Sequence, residues 1–381
     1  MTARAGTRTI DVDGLSELVD HLWALGYEVW GPRLDNGVIA PGVLRSVRDL
    51  PLGWTDEQEP GHYRTRSRDD GARFGYAVGP RSYKELLHPA RQQVWTMTRD
   101  DAGELTVAMA EPEPVRRAFF GVRPCELAAI AKQDRVLTEG PHADPVYSAN
   151  RADVLIVAVD CGDPAATCFC PSLATGPRSG PGHDLAVTEL AGPDPSGRDS
   201  HYVVRVGSPR GQAVLDAVPS RPTQPNELAA ADVVVTTASE AMTRSLDTDH
   251  IAELVYNHLT GPQWNEVAER CLACGNCTLV CPTCFCTNLV DVTDLTGHET
   301  TRWRVWDTCF STEFSHLGPG PIRASTASRY RQWFSHKLAG WIDQFDESGC
   351  VGCGRCITWC PVGIDITAEL AVMRAAEGAE R

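Results

Sequence analysis

The chain lacks the features that mark membrane, secreted and nucleic-acid-binding proteins. No apolar run approaches the ~20 residues that a membrane-spanning helix requires. The opening residues have no apolar core of the kind found in secretory signals, which favours a cytoplasmic location. The 35 Lys and Arg are outnumbered by 50 Asp and Glu, and the net charge of −15 argues against a nucleic-acid partner.

A dinucleotide-binding fingerprint is absent too. No G-x-G-x-x-G follows a predicted strand, so a Rossmann-type nucleotide site is unsupported. What the chain does have is fifteen cysteines. Because the cytosol keeps thiols reduced, cysteines at short fixed intervals in such a chain indicate metal ligands rather than disulfides.

The pattern of apolar residues divides the chain into two predicted domains. Residues 1–245 are predicted to form an α/β domain, with a helix over 14–26. Its strand candidates, rich in Val, Ile and aromatic residues, are ELTVAMA, RRAFFGV, ADVLIVAVD, DLAVTEL and HYVVRVG. The segment ELAAIAKQDRVL between two of them is predicted to be helical. From about residue 240 the pattern is helical with no convincing strand pair, so 246–381 is predicted to be an α-helical ferredoxin-like domain.

Two cysteine runs, at 271–282 and 350–361, follow the pattern C-x2-C-x2-C-x3-C-P. A cubane [4Fe–4S] cluster needs four thiolates, and in two-cluster proteins the fourth cysteine of each run ligates the other cluster. The ligands predicted on this rule are Cys271, Cys274, Cys277 and Cys360 for cluster 1, and Cys350, Cys353, Cys356 and Cys281 for cluster 2. Zinc is a poorer match, because it usually takes two C-x2-C pairs separated by a longer loop.

Four of the other cysteines fall in the first predicted domain, at or just after strand ends or in the loop that follows. If RRAFFGV and ADVLIVAVD are neighbouring strands, their ends converge at one edge of the sheet, where ligands of α/β proteins often gather. We therefore predict a third iron–sulfur cluster, and the alternative is that these cysteines are buried thiols. The four residues are Cys125, Cys161, Cys168 and Cys170.

The last three cysteines, Cys284, Cys286 and Cys309, follow the first run closely. Three ligands do not complete a cubane alone, so burial as small apolar side chains and metal ligation both stay open. Pairing with the cysteines of the first domain, across the domain interface, is a further possibility.

Basic residues gather before the second run in this acidic chain. They are Arg323, Arg329, Arg331, His336 and Lys337. Such a group offsets negative cluster charge, forms a docking face for a partner, or is simply a solvated helix face.

Several phrases, most of them outside the two runs, carry a resemblance to known proteins. They are FGVRPCEL at 120–127, VDC at 159–161, TCFC at 167–170, CPTCFC at 281–286 and WDTC at 306–309. In these phrases the chain resembles the beta subunit of cytosolic sulfhydrogenases, a branch of the NAD(P)-linked [NiFe]-hydrogenases. It is equally similar to the electron-transfer subunit of anaerobic sulfite reductase.

The resemblance implies a non-catalytic subunit of an oxidoreductase complex. Such a subunit passes electrons between a flavin-containing NAD(P)H oxidoreductase subunit and the small and large subunits of a hydrogenase. In the sulfite reductase alternative, the catalytic partner carries siroheme. A stand-alone ferredoxin-like carrier is a third hypothesis, but a carrier has no need of so large a first domain.

Overall fold

The computed structural model describes residues 7–113 and 115–380, which form a mixed α/β structure. The strands, β1 to β16 in chain order, are Thr7–Ile10, Glu28–Asp35, Val38–Val43, Trp54–Glu59, His62–Ser67, Arg91–Arg99, Leu105–Met109, Arg117–Val122, Leu155–Val159, Leu185–Leu190, His201–Val206, Arg221–Pro222, Thr287–Thr293, Glu299–Trp306, His316–Leu317 and Gly320–Pro321. The helices, α1 to α13, are Val12–Ala24, Lys84–Leu87, Pro124–Leu137, Pro145–Ala152, Pro209–Asp216, Pro225–Ala241, Ile251–Asn257, Gln263–Arg270, Asn276–Leu279, Thr326–Ser335, Trp341–Phe345, Arg355–Thr358 and Ile366–Glu380. A π-helical segment, His336–Gly340, joins α10 to α11.

The main sheet has eight strands in the order β12-β1-β11-β10-β9-β8-β2-β3. Its centre is parallel, because β2 pairs with β8, β8 with β9 and β9 with β10 in that sense, whereas the flanking pairs are antiparallel. The segments RRAFFGV and ADVLIVAVD are thus adjacent parallel strands, as the prediction of a third cluster required. Both strands end at the same edge of the sheet, and the chain after each of them carries a cysteine.

Alternate residues of the central strands face two different cores. Phe120 and Val157 pack with α1 on one face of the sheet, and Phe119 and Ile156 pack with α3 and α4 on the other. All four side chains are fully buried. Because successive side chains of a strand point to opposite faces, near-continuous apolar strands of this kind are typical of a sheet covered by helices on both sides.

Most of the predicted elements of the first 245 residues are present. The helix expected over 14–26 is α1, the five strand candidates are β7 to β11, and the helix candidate after RRAFFGV is α3. None of the helices in the described residues is both long and apolar enough to span a lipid bilayer.

The expectation of a purely α-helical domain over 246–381 was wrong at 287–306. Here β13 and β14 form an antiparallel hairpin, and β14 pairs in turn with β6, giving a second sheet in the order β13-β14-β6-β7. The side chains of β13 are almost all exposed, so the strand carries no buried apolar face that a sequence pattern could reveal. This sheet joins strands from both sides of residue 245, and the domain division there stays a prediction.

Candidate metal centres

The two cysteine runs share one local structure. In each run a loop leads into a one-turn helix, α9 or α12, that carries the third cysteine, and the fourth cysteine follows directly. Gly275 and Gly354 begin these turns at φ of 77° and 73°, a conformation that glycine adopts at no Cβ cost. A Cβ on Gly354 would come within 2.4 Å of the Thr167 carbonyl oxygen. The close approach of the backbone at Thr167 is therefore a second reason for glycine at this position.

The first candidate centre is a cavity lined by thiols and apolar side chains. Phe310, Tyr330 and Trp333 contribute aromatic walls to it. Cys360 of the second run lies there beside cysteines of the first run, as the exchange of fourth ligands predicts. The predicted ligands that line this cavity are Cys271, Cys274, Cys277 and Cys360.

The second candidate centre gathers the other four predicted ligands. Cys281 of the first run lies close enough to the three leading cysteines of the second run to raise the pKa of each of them. Burial raises the pKa of the Cys350 thiol to about 11, and it raises that of Cys353 as well. Burial thus favours the protonated form of these two thiols, and the positive core of an iron–sulfur cluster would compensate the charge of their thiolate form. The set is Cys281, Cys350, Cys353 and Cys356.

The described thiols do not form a site for a single metal ion. Within the described residues, no three His, Cys, Asp or Glu side chains converge closely enough to hold one metal ion. A cubane distributes its four thiolates over four irons, so its ligands surround a larger space.

Lys337 is buried beside the second centre, which sequence reasoning alone did not show. Its Nζ lies 3.3 Å from Cys281 Sγ, donates to Thr283 Oγ1 at 3.1 Å and to the Gly349 carbonyl at 3.2 Å. Burial opposes the charge, but the nearby Cys281, Cys284 and Cys350 sulfurs hold the pKa of Lys337 well above its usual range. Of the three interpretations of the basic group, Lys337 supports the offset of cluster charge.

Replacing this buried cation has an expected electrochemical effect. We expect Lys337→Met to lower the reduction potential of the second centre, because the positive charge stabilises the added electron. The shift should be on the order of 100 mV, the size given by a unit charge a few ångströms away at an effective dielectric constant of about 20. Redox titration followed by electron paramagnetic resonance (EPR) measures it.

Lys132→Met is the matched control, because Lys132 is equally buried but pairs with Glu347. It should leave the potential of the second centre within a small fraction of that shift. Equal shifts in both variants would contradict a specific role for Lys337.

The third candidate centre lies at the edge of the main sheet where β8 and β9 end. One cavity there is lined by all four cysteines of the predicted third set, Cys125, Cys161, Cys168 and Cys170. Burial raises the pKa of the Cys170 thiol to about 12 and raises those of Cys125 and Cys168 well above their usual range. Burial thus keeps these thiols protonated unless a cation, such as the core of an iron–sulfur cluster, stabilises their thiolate form.

Two buried guanidinium groups flank this third set. Arg123 lines the cavity, and Arg355 lies within electrostatic range of Cys125 and Cys353. Arg123 Nε and Arg355 Nη1 are both buried, and neither has a hydrogen-bond partner within the described part of the chain. A buried donor without an acceptor is costly, and the sulfide of a cluster is an acceptor that fits such donors. The residues present therefore fit an iron–sulfur group.

The loop of the third set packs directly on the second cysteine run. The Phe169 amide donates to the Gly352 carbonyl at 2.8 Å, and Thr175 Oγ1 donates to the Val351 carbonyl at 2.7 Å. A Cβ on Gly352 would come within 2.6 Å of the Cys170 Cα atom. Since Cys353 also lines the third cavity, the second and third centres share a wall.

The three cysteines whose role stayed open lie together, apart from the first-domain set. Cys284, Cys286 and Cys309 line a cavity of about 450 Å³ together with Lys337, and none of them lines the third cavity. The hairpin explains this, because Cys286 comes just before β13 and Cys309 follows β14 closely. The sequence segments CFC and WDTC contain these cysteines, but only the hairpin shows that the two segments lie next to each other.

Comparisons with known proteins agree with the cysteine pattern. The 4Fe-4S dicluster domain family matches residues 270–364, the span that contains both runs. Sulfhydrogenase 2 subunit beta from Pyrococcus furiosus is 33% identical over 255 residues, which make up 65% of this chain and 71% of that protein. No solved structure matches the chain.

Proposed function

Because the chain belongs to the family of the sulfhydrogenase beta subunit, we infer that it is the iron–sulfur electron-transfer subunit of a hydrogenase-type complex. The observation that supports this is the pair of cysteine runs, with Cys360 of the second run lining one cavity with cysteines of the first run. Bound clusters would supply one-electron transfer, and the protein would hold, insulate and tune them.

The relay we propose has three cubane clusters in a row. Its centre is the set around Cys281, because Cys353 also lines the third cavity and Cys356 also lines the first. Each end cluster would thus be separated from the middle cluster only by side chains that line both sites. In this arrangement residues 246–381 supply the two-cluster module, and residues 1–245 supply the third cluster through Cys125, Cys161, Cys168 and Cys170.

The proposed partners stand at the two ends of the relay. One is a flavin-containing NAD(P)H oxidoreductase subunit, and the other is the small and large subunits of a [NiFe]-hydrogenase, all in the cytoplasm. Purification of the tagged chain from its native host under anaerobic conditions tests this. We expect a nickel-containing large subunit to co-purify, whereas a siroheme protein in its place would select an anaerobic sulfite reductase.

A further expected result concerns the chain alone. The isolated chain should not oxidise NAD(P)H, because it lacks a recognisable nucleotide site, although artificial dyes should reduce its clusters. Spectrophotometry of NAD(P)H under anaerobic conditions measures this, and addition of the flavoprotein partner is the positive control. Steady NAD(P)H oxidation by the pure chain would contradict the relay.

A further inference from the structure

The cysteines at the ends of the β13–β14 hairpin are brought together by backbone pairing. Thr287 is paired with Trp306 in the hairpin, and the Asp307 amide donates to the Cys286 carbonyl at 2.9 Å. The Cys286 and Cys309 side chains line the same cavity, and each thiol is the strongest influence on the pKa of the other. The hairpin therefore closes with two thiols side by side.

The third thiol is fixed to the same place by a buried lysine. Lys84 Nζ donates to the Cys281 carbonyl at 3.0 Å and to the Cys284 carbonyl at 3.3 Å. The same Nζ lies 3.9 Å from the centre of the Trp306 ring, at the end of β14. Lys84 thus ties the loop that carries Cys284 to the end of the hairpin.

The surroundings of these thiols differ from an ordinary apolar core. Lys337 Nζ lies 3.8 Å from Cys284 Sγ, and it is itself buried. Cys284 and Cys286 are partly exposed to the cavity of about 450 Å³, and His336 and Trp341 line it too. Three thiols beside a cation, with open space in front of them, are positioned for ligation.

We propose that Cys284, Cys286 and Cys309 hold a fourth iron–sulfur cluster on three thiolates, with its remaining corner facing this cavity. Three cysteines suffice for a [3Fe–4S] cluster, or for a cubane whose fourth iron takes a small exogenous ligand. Cys281 interacts with Cys284 as well as with Cys350, and the exchange of fourth ligands between the two runs assigns it to the second centre. The proposal goes beyond the three-cluster relay and depends on it only in that the chain is an iron–sulfur protein.

Iron and sulfide analysis of the anaerobically purified full-length chain tests the proposal first. Three cubanes give about twelve irons per chain, and the fourth centre raises this to about fifteen or sixteen. Cys286→Ser should lower the count by about three or four, and Cys309→Ser should do the same. Thr287→Ser, a change of the adjacent residue to another hydroxyl residue, is the matched control and should leave the count unchanged.

Spectroscopy separates this centre from the others. EPR spectra of Cys286→Ser should lose one set of signals and keep those of the three cubanes. For a cubane on three cysteines, addition of a small thiol to the wild-type chain should alter only the signals that Cys286→Ser removes, because its fourth iron alone lacks a cysteine ligand. A [3Fe–4S] cluster lacks that iron and should instead give an EPR signal in the oxidised chain that Cys286→Ser removes. An iron count that Cys286→Ser and Cys309→Ser both leave unchanged would overturn the proposal, as would a Cys286–Cys309 disulfide found by mass spectrometry. These outcomes are independent of which subunits co-purify with the chain.

Discussion

Cys168→Ser should remove about four irons per chain from the anaerobically purified protein, the content of one cubane. The reason is geometric, because Cys168 lines one cavity with Cys125, Cys161 and Cys170 where β8 and β9 end. A serine hydroxyl is a far weaker ligand for iron than a thiolate. Iron analysis measures the loss, and EPR spectra should retain the signals of the two clusters of the C-terminal runs.

The same cavity offers a control that changes sulfur without changing a thiolate. Met242 lines it, with Sδ 3.8 Å from Cys170 Sγ. Met242→Leu should therefore keep the iron count of the wild type. An unchanged count in Cys168→Ser would refute the third cluster and leave these four residues as buried thiols.

Cys281→Ser should perturb the cluster held by the second run and spare the cluster held by the first. The cause is the expected exchange of fourth ligands. Cys281 lies close enough to Cys350, Cys353 and Cys356 to raise the pKa of each thiol. EPR of the reduced variant should show loss or conversion of one of the two signals.

The mirror variant is the matched control for this exchange. Cys360→Ser should perturb the other cluster, because Cys360 lines the cavity of the first run. The two variants should thus affect complementary signals. If each variant lost only the cluster of its own run, the exchange would be refuted.

The cysteine sets could be read from the sequence because their spacing is local. Each run contains its four cysteines within about a dozen residues. The adjacency of β8 and β9 needed only the assumption that strands close in sequence pair with each other. Both inferences use short-range information, and the observed geometry agrees with them. The ligand assignments themselves stay predictions until iron is measured.

The features that escaped prediction depend on long-range packing. The β13–β14 hairpin carries almost no buried side chains on β13, and its neighbour β6 lies far away in sequence. Lys337 and Arg355 look like surface residues in a sequence, because charged side chains are rarely buried unless paired. Their burial follows from thiols and carbonyls contributed by distant segments, which no local pattern records.

Electron flow through the chain is the central claim, and rapid freeze-quench EPR of the intact complex tests it most directly. The complex, purified anaerobically with its clusters oxidised, is mixed with hydrogen and frozen at successive times. The clusters of this chain should become reduced no more slowly than the complex turns over, and NAD(P)⁺ should reoxidise them. Clusters that stay oxidised while hydrogen-dependent NAD(P)⁺ reduction continues would contradict the relay.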